Sequence, residues 1–504
     1  MDGVTPSFDD FKKCAQRGNA VPVWTPLPRG LTPSDAYARL RGGSHSFLLE
    51  SGRYHPRIGR FSFCGASPWM VFTGRGPRVE IRTGTETRVL EGDPLEELRS
   101  HFNRWKCSPQ AEKRPTDPLA AFAGGAVGFI SYEARMLFEK LPCANPDDVG
   151  TPDFLFCFFD DFAAFDMKTG SAFAVAVARL GEETNIPDAY GRALGRLDAL
   201  ASKLRAPPAA APGAGRAGLL SPIESNFTQK EYEDIVRRAK KYIAAGDIYQ
   251  ANLSQRLSVT TDVPAFDLYR TLLKINPSPF GGCLEFDGFD VVSSSPERLV
   301  WTAGGTVETR PIAGTRPRGK DPREDVALSA ELILNEKERA EHIMLVDLER
   351  NDLGRVCAYG TVRVDELMAL EKYSHVIHIV SNVTGTLEKG RDRFDVIRAC
   401  FPGGTITGVP KVRCMEIIDE LENLRRGLYT GSIGYLSYNG AMDLNIVIRT
   451  FVIKDRRAHV QVGAGIVADS DPEREYHETM HKAEALLKTL EKVSAGADAR
   501  AAER

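Results

Sequence analysis

The sequence predicts an α+β fold of antiparallel strands with helices packed outside. Three observations carry this. Short apolar runs bounded by turn residues recur through both halves of the chain. Hairpin turns stand at "YNG" (residues 438–440) and "KDRR" (454–457). Helical patterns are interspersed without the regular strand–helix alternation of a doubly wound sheet.

Strand-like segments prevail before residue 203: "SFLLES", "RFSFCG", "WMVFTG", "RVEIRT", "FLFCFF" and "SAFAVAVARL". Helices are expected over 93–104 and 188–203. The most apolar stretch, "FLFCFFDDFAAF" at 154–165, is interrupted by Asp160 and Asp161, so it reads as buried strands and not as a membrane span. "KLRAPPAAAPGAGRAGLLSP" (203–222) is rich in proline, glycine and alanine without an apolar period, which is linker composition. After it, "TQKEYEDIVRRAKKYIAAG" has a capping threonine, a glutamate three residues on and a closing glycine, the signature of a complete helix. One long helix is expected over 324–348, another over 409–424 and a last one over 472–493. The expected organisation is an N-terminal domain over 15–202, a linker over 203–224, a larger domain over 225–492 and a flexible tail over 493–504.

Composition narrows the class. The 504 residues are 42% hydrophobic and 26% charged, as in ordinary globular chains, with length enough for more than one domain. A net charge of −3 gives no global attraction to nucleic acid or to an anionic membrane. The first twenty residues lack the apolar core of a signal peptide. Nine cysteines, an odd number with no C-x-x-C pair, predict free thiols in a reducing compartment, hence a cytoplasmic location and no zinc site.

Several residues could carry chemistry. Glu338 and Glu341 lie three apart on a helical stretch and share a face, as do Glu475 and Glu478, with Lys482 four beyond Glu478. Two such carboxylate pairs suit one hard cation, although spacing alone favours solvated surface acids. His378 lies in the alternating run "HVIHIVSNV", where a half-buried structural histidine is the commoner case. Arg449 ends the apolar run "LNIVIRT", either as a carboxylate ligand or as a surface ion pair. The glycines of "VGAGIVADSD" permit close approach of backbone to a ligand but equally mark a bulge. "FPGGTITGVPK" precedes a helix start but lacks the G-K-[ST] ending of a nucleotide-binding loop. "RPIAGTRPRG" (310–319), with three arginines beside glycine and proline, has the composition of a phosphate cradle.

Taken together, "GDIYQANLSQRL", "SSSPERLV", "RPIAGTRPRG", "AEHIMLVDLERNDLGR", "HVIHIVSNVTG", "FPGGTITGVPKVRCMEIIDELE", "YTGSIGYLSYNGAMDLNIVIRT" and "GAGIVADSDPEREYHETMHKAEALL" resemble, in order, the chorismate-utilising enzymes. This family includes large subunits of anthranilate and aminodeoxychorismate synthases, isochorismate synthases and salicylate synthases. The resemblance spans nearly all of 227–490. It implies two large antiparallel sheets with helices outside and a central active-site cleft. It implies Mg2+ held by Glu338, Glu341, Glu475 and Glu478, directly or through water. It implies substrate contacts from Gln250, Thr315, Tyr429, Arg449, Gly463, Gly465 and Lys482, and a catalytic set of Glu297, His378 and Thr405. In it Glu297 is the acid beside the departing 4-hydroxyl, and "RPIAGTRPRG" lines the cleft and holds no phosphate.

The resemblance also directs the chemistry. Where water-using members carry lysine, this chain has Gln250; water needs a base, whereas ammonia brings its own lone pair. The expected reaction is amination of chorismate with ammonia from a glutamine amidotransferase subunit, since no cysteine lies in a G-x-C-x-G nucleophile turn. "YQANLSQR", "PGGTITG" and "GGAVGFISYEARMLFEKLP" resemble members that aminate C4 and feed 4-aminobenzoate and folate synthesis. Against this, Ala313 stands where many of those members carry a nucleophilic lysine, and "FLLES" resembles the tryptophan-feedback motif of the anthranilate-forming members. C4 amination is the expected outcome; anthranilate formation with loss of pyruvate, or non-catalytic chorismate binding, are the alternatives.

Overall fold

A computed structural model describes residues 3–52, 57–107, 118–181, 184–207, 218–373 and 376–502. Two twelve-stranded sheets form its framework, and every named strand pairing in them is antiparallel. Each sheet draws strands from both sides of the linker composition. In one, Ser46–Glu50 pairs with Phe280–Phe286, Phe47 opposite Leu284. In the other, Gly125–Ile130 pairs with Ser432–Ser437, Gly128 opposite Gly434. The segment expected to link two domains therefore joins two halves that share both sheets. Residues 208–217 of it lie outside the described residues.

The sheets face each other over an aromatic interior. Phe47 meets Phe159 at 4.6 Å between ring centres, and Phe129 meets Phe286 at 5.6 Å. The double aspartate of "FLFCFFDDFAAF" explains how one apolar run serves both sheets. Phe154–Phe159 pairs with Gly125–Ile130 in one sheet, and Asp161–Asp166 pairs with Phe61–Ala66 in the other. The chain crosses at Asp160, whose carboxylate accepts from Arg179 Nε at 2.6 Å. Helices cover the outer faces; Gln229–Ala244 and Lys411–Leu421 pack Ile235, Val236, Ile417 and Ile418 against Leu253 and Ala464. No helix among the described residues is long and apolar enough to cross a membrane.

Local signals hold with three adjustments. The capping box of Thr228 and Glu231 is formed, and the "KDRR" hairpin closes with Asp455 and Arg456 at φ of 50° and 61°. The single helix expected over 324–348 is two, Pro322–Leu334 and Glu336–Gly354. Asn335 ends the first and caps the second, its side chain accepting from the Glu338 backbone at 3.1 Å, a polar stop that apolar spacing does not register. The helix expected over 409–424 is shorter, Lys411–Leu421, with Pro410 at its N-cap. The last helix runs Pro472–Ala502, so the alanine-rich tail expected to fray continues as helix.

Candidate functional site

The strand Ile312–Pro317 is the spine of the site. Its backbone amide at Ile312 donates to Glu297 Oε1 at 3.3 Å. Two residues on, Gly314 adopts φ +68° in a bulge, and a Cβ there would approach Glu338 Oε2 to 2.9 Å. Thr315 Oγ1 lies 3.0 Å from His378 Nδ1. One short segment thus joins Glu297 to the carboxylates on Glu336–Gly354. Its arginines are not a phosphate cradle: Arg310 pairs with Glu366 and Glu371, Arg316 with Glu331 and Glu338, and Arg318 with Asp325.

Around Glu297 the structure gathers Thr405 and Arg449, and Arg449 in turn lies near His378, which meets Thr315. Glu297 is 5% exposed, and burial pushes its carboxyl up to about 8; Ile312, Thr405 and Arg449 pull the other way. Thr405 Oγ1, buried, has no partner of good geometry among the described residues and is turned toward Glu297. Arg449 sits at φ +51°, a left-handed conformation that a non-glycine residue holds at a cost of ~1–3 kcal/mol. Burial opposes its charge, while Glu297 and Tyr373 favour it. His378, buried, is lowered to about 4 chiefly by burial, so the ring is neutral, and its Nε2 is unpartnered. A ligand with matching polar groups would complete these orphaned atoms.

The second group lies at the other end of the strand. Gln250 Nε2 donates to Glu341 Oε1 at 2.6 Å, which leaves Gln250 Oε1 buried without a partner. Two residues along the same face of Gln250–Thr260, Asn252 Oδ1 is also buried and unpartnered. The partner strand Arg457–Ile466 places Gly465 opposite Asn252 and Gly463 opposite Ser254. Glycine is needed at both: a Cβ on Gly463 would stand 2.6 Å from Asn252 Oδ1 and 2.7 Å from the Tyr429 hydroxyl, and one on Gly465 2.5 Å from Gln250 Nε2. Lys482 donates to the Gly463 carbonyl at 2.9 Å and pairs with Glu478 at 2.8 Å.

The four glutamates form one electrostatic group. Burial raises Glu341, and the charges of Glu338 and Glu478 raise it further; burial and Glu478 likewise raise Glu475. The donors are all oxygens, which is what Mg2+ takes. As the side chains lie, no three described acids converge tightly enough to grip an ion; Arg316 pairs with Glu338, and Lys482 with Glu478. The donor chemistry and mutual repulsion fit a cation, with those two basic groups as its competitors.

Spacing did not reveal Asn252, Tyr373, Arg316 or Glu349 as members of the site. Glu349 lies within the quoted motif "AEHIMLVDLERNDLGR", but its burial comes from strands and a loop distant in sequence. "FLLES" forms the strand Ser46–Glu50 and lines a cavity of about 240 Å3 with Arg298 and Asp443.

A family profile described as chorismate binding enzyme matches residues 45–488. Aminodeoxychorismate synthase component 1 of Bacillus subtilis is 46% identical over 451 residues, 89% of this chain and 92% of the relative. Anthranilate synthase component 1 of Thermus thermophilus is 46% identical over 473 residues, 92% and 96% of the two chains. Among solved structures, anthranilate synthase component I from Streptococcus pneumoniae superposes with a TM-score of 0.74 at 35% identity, covering 86% of this chain and 93% of that one. The isochorismate synthase MenF of Escherichia coli shares the fold, with a TM-score of 0.70 at 18% identity over 94% of each chain.

Proposed function

The chain belongs to the chorismate-binding enzyme family, and on that premise we propose that it aminates chorismate at C4, giving 4-amino-4-deoxychorismate and water from chorismate and ammonia. The observation that carries the choice of ammonia over water is the pair of buried, unpartnered amide oxygens, Gln250 Oε1 and Asn252 Oδ1, side by side on one strand face, and the choice of C4 rests on the motifs. They are acceptors for the N–H groups of ammonia, and neither is the base that a water nucleophile needs. Glu297, kept protonated by burial, donates its proton to the departing hydroxyl, a step worth ~10²–10⁴-fold. Arg449 and Lys482 meet the two carboxylates of the substrate, and neutral His378 offers Nε2 as an acceptor.

Glu338, Glu341, Glu475 and Glu478 would hold Mg2+, which supplies positive charge for the ring carboxylate. Ammonia comes from a separate glutamine amidotransferase subunit. Supporting that reading, Cys64, Cys157, Cys283, Cys357, Cys400 and Cys414 are all buried, and burial pushes their thiols up, opposite to an activated nucleophile.

One observation favours a second reading, anthranilate formation. Ala313, 8% exposed, offers no amine for covalent attack at C2. Incubation with chorismate, Mg2+ and ammonium separates the two. Product that becomes 4-aminobenzoate only when the lyase is added supports C4 amination. Fluorescent anthranilate formed without lyase overturns it.

A further inference from the structure

The helix Glu336–Gly354 carries another buried acid that the reading above leaves unused. Glu349 lies ~16 Å along the helix axis from Glu338 and is 4% exposed. Thr309 Oγ1 donates to its Oε2 at 2.8 Å. On its other side the Gly404 backbone amide faces the carboxylate, and a Cβ on Gly404 would stand 3.5 Å from Oε1 and collide with Leu348 Cδ2. Glu349 therefore ties together three elements: its own helix, the strand Thr306–Arg310 and the turn Gly404–Ile406. Two of them lead straight to Glu297. Thr306–Arg310 runs into Ile312, whose amide donates to Glu297, and Gly404 precedes Thr405, which faces it.

We propose that Glu349 is a positioning residue for Glu297: clamped between Thr309 and the Gly404 amide, its carboxylate is the fixed negative neighbour that keeps a proton on the acid at the cleft. This rests on the reading of Glu297 as the acid of the reaction. The charges around the pair agree. After burial and the two hydrogen-bonding neighbours, Glu349 is the acidic charge that raises Glu297, and Arg449 opposes it. Glu349 is itself pushed up to about 7, chiefly by burial, with Asp352 adding to the rise and Lys411 opposing it. Asp352 is held by Lys411 at 2.6 Å and feels Arg355. Where Glu349 is ionised, its charge defends the proton on Glu297. Were Glu349 only a strut, its loss would lower the rate alike at every pH.

Two readouts test this in the full-length protein. The first is the pH profile of kcat/KM for chorismate at constant free ammonia. The second needs no turnover: the pH at which the protonated-carboxyl infrared band that Glu297→Gln removes is lost. In Glu349→Gln the basic limb and the band are expected to move ~1 pH unit lower, the size of shift a neighbouring charge commonly gives a carboxylate. Glu349→Asp, which keeps the charge, is expected to restore both. A uniformly lower rate with limb and band unmoved overturns the proposal. If the wild type consumes no chorismate, the functional reading fails, and the infrared titration decides the pairing by itself. If Glu349→Gln does not fold, Thr309→Val takes its place. It withdraws a hydrogen bond from the anion, which pushes Glu349 further up and moves both readouts the same way; unmoved readouts in that variant overturn the proposal too.

Discussion

Thr315 Oγ1 stands 3.0 Å from His378 Nδ1, and the histidine ring is buried and neutral. The Gly314 carbonyl, which can only accept, lies 3.4 Å from the same Nδ1, so the ring proton sits on Nδ1 and Nε2 is left as an unpartnered acceptor. His378 is therefore expected to present a neutral acceptor at Nε2 and to contribute no limb near its ordinary 6.5 to the pH–rate profile.

The same burial makes stability pH-dependent. His378, His342 and His459 all fall to about 4 in the fold from 6.5, chiefly through burial. Bases whose folded pKa is depressed contribute stability that is whole above 6.5 and lost as pH falls toward 4. Unfolding midpoints in urea are expected to drop steadily over that window. His378→Gln should flatten the slope, its share being about 3 kcal/mol at full protonation.

Arg426 and Glu422 form an ion pair at 2.7 Å with both side chains buried, and Arg426 also donates to the Asn252 and Ile406 carbonyls. Glu422→Gln leaves the guanidinium without its counter-charge in the interior. A loss of about 3–5 kcal/mol in denaturant unfolding is expected. The chorismate KM should rise with it, since Ile406 adjoins Thr405.

The turn at Gly404 packs onto Leu348 so closely that a methyl group overlaps Cδ2. Gly404→Ala is expected to destabilise by about 1–3 kcal/mol. The double variant Gly404→Ala/Leu348→Ala should recover part of that loss in a double-mutant cycle, because the clash involves a side chain and not backbone.

Glu478→Gln is expected to weaken Mg2+ binding at least as much as loss of an outer-shell partner does, ~10–100-fold, measured by calorimetry without substrate. Glu484, on the same helix but paired with Lys488 at the surface, is the control; Glu484→Gln should leave the isotherm unchanged. Equal isotherms for the two variants would remove Glu478 from the metal set.

Ala313→Lys tests the product. The position is buried opposite Ile379, at a bulge that separates it from Thr315. An amine there restores a covalent nucleophile, and the ratio of 4-aminobenzoate to anthranilate after lyase treatment is expected to rise. An unchanged ratio would mean that the cleft already directs ammonia to C4 without it.

Much of this molecule could be read from the chain. The Thr228–Glu231 cap, the "KDRR" hairpin, the Glu338/Glu341 and Glu475/Glu478 spacings and the Glu478–Lys482 pair are relations between residues at most four apart. Backbone periods of 2.0 and 3.6 residues write such relations directly into sequence. The break at Asn335 was legible too, as N-x-x-E, but a continuous helical pattern hid it.

What the sequence by itself determined was the antiparallel α+β class, the residue types of the site and, through the order of its motifs, the family. The tertiary structure alone decided which distant segments share a sheet and which polar atoms meet. Gln250 and Glu341 are 91 residues apart when they bond, and nothing near either one marks the other. The charge states of Glu297, Glu349 and His378 were likewise decided there. Their shifts come chiefly from burial, and burial is a property of everything packed around a group, so no local pattern of residues encodes it.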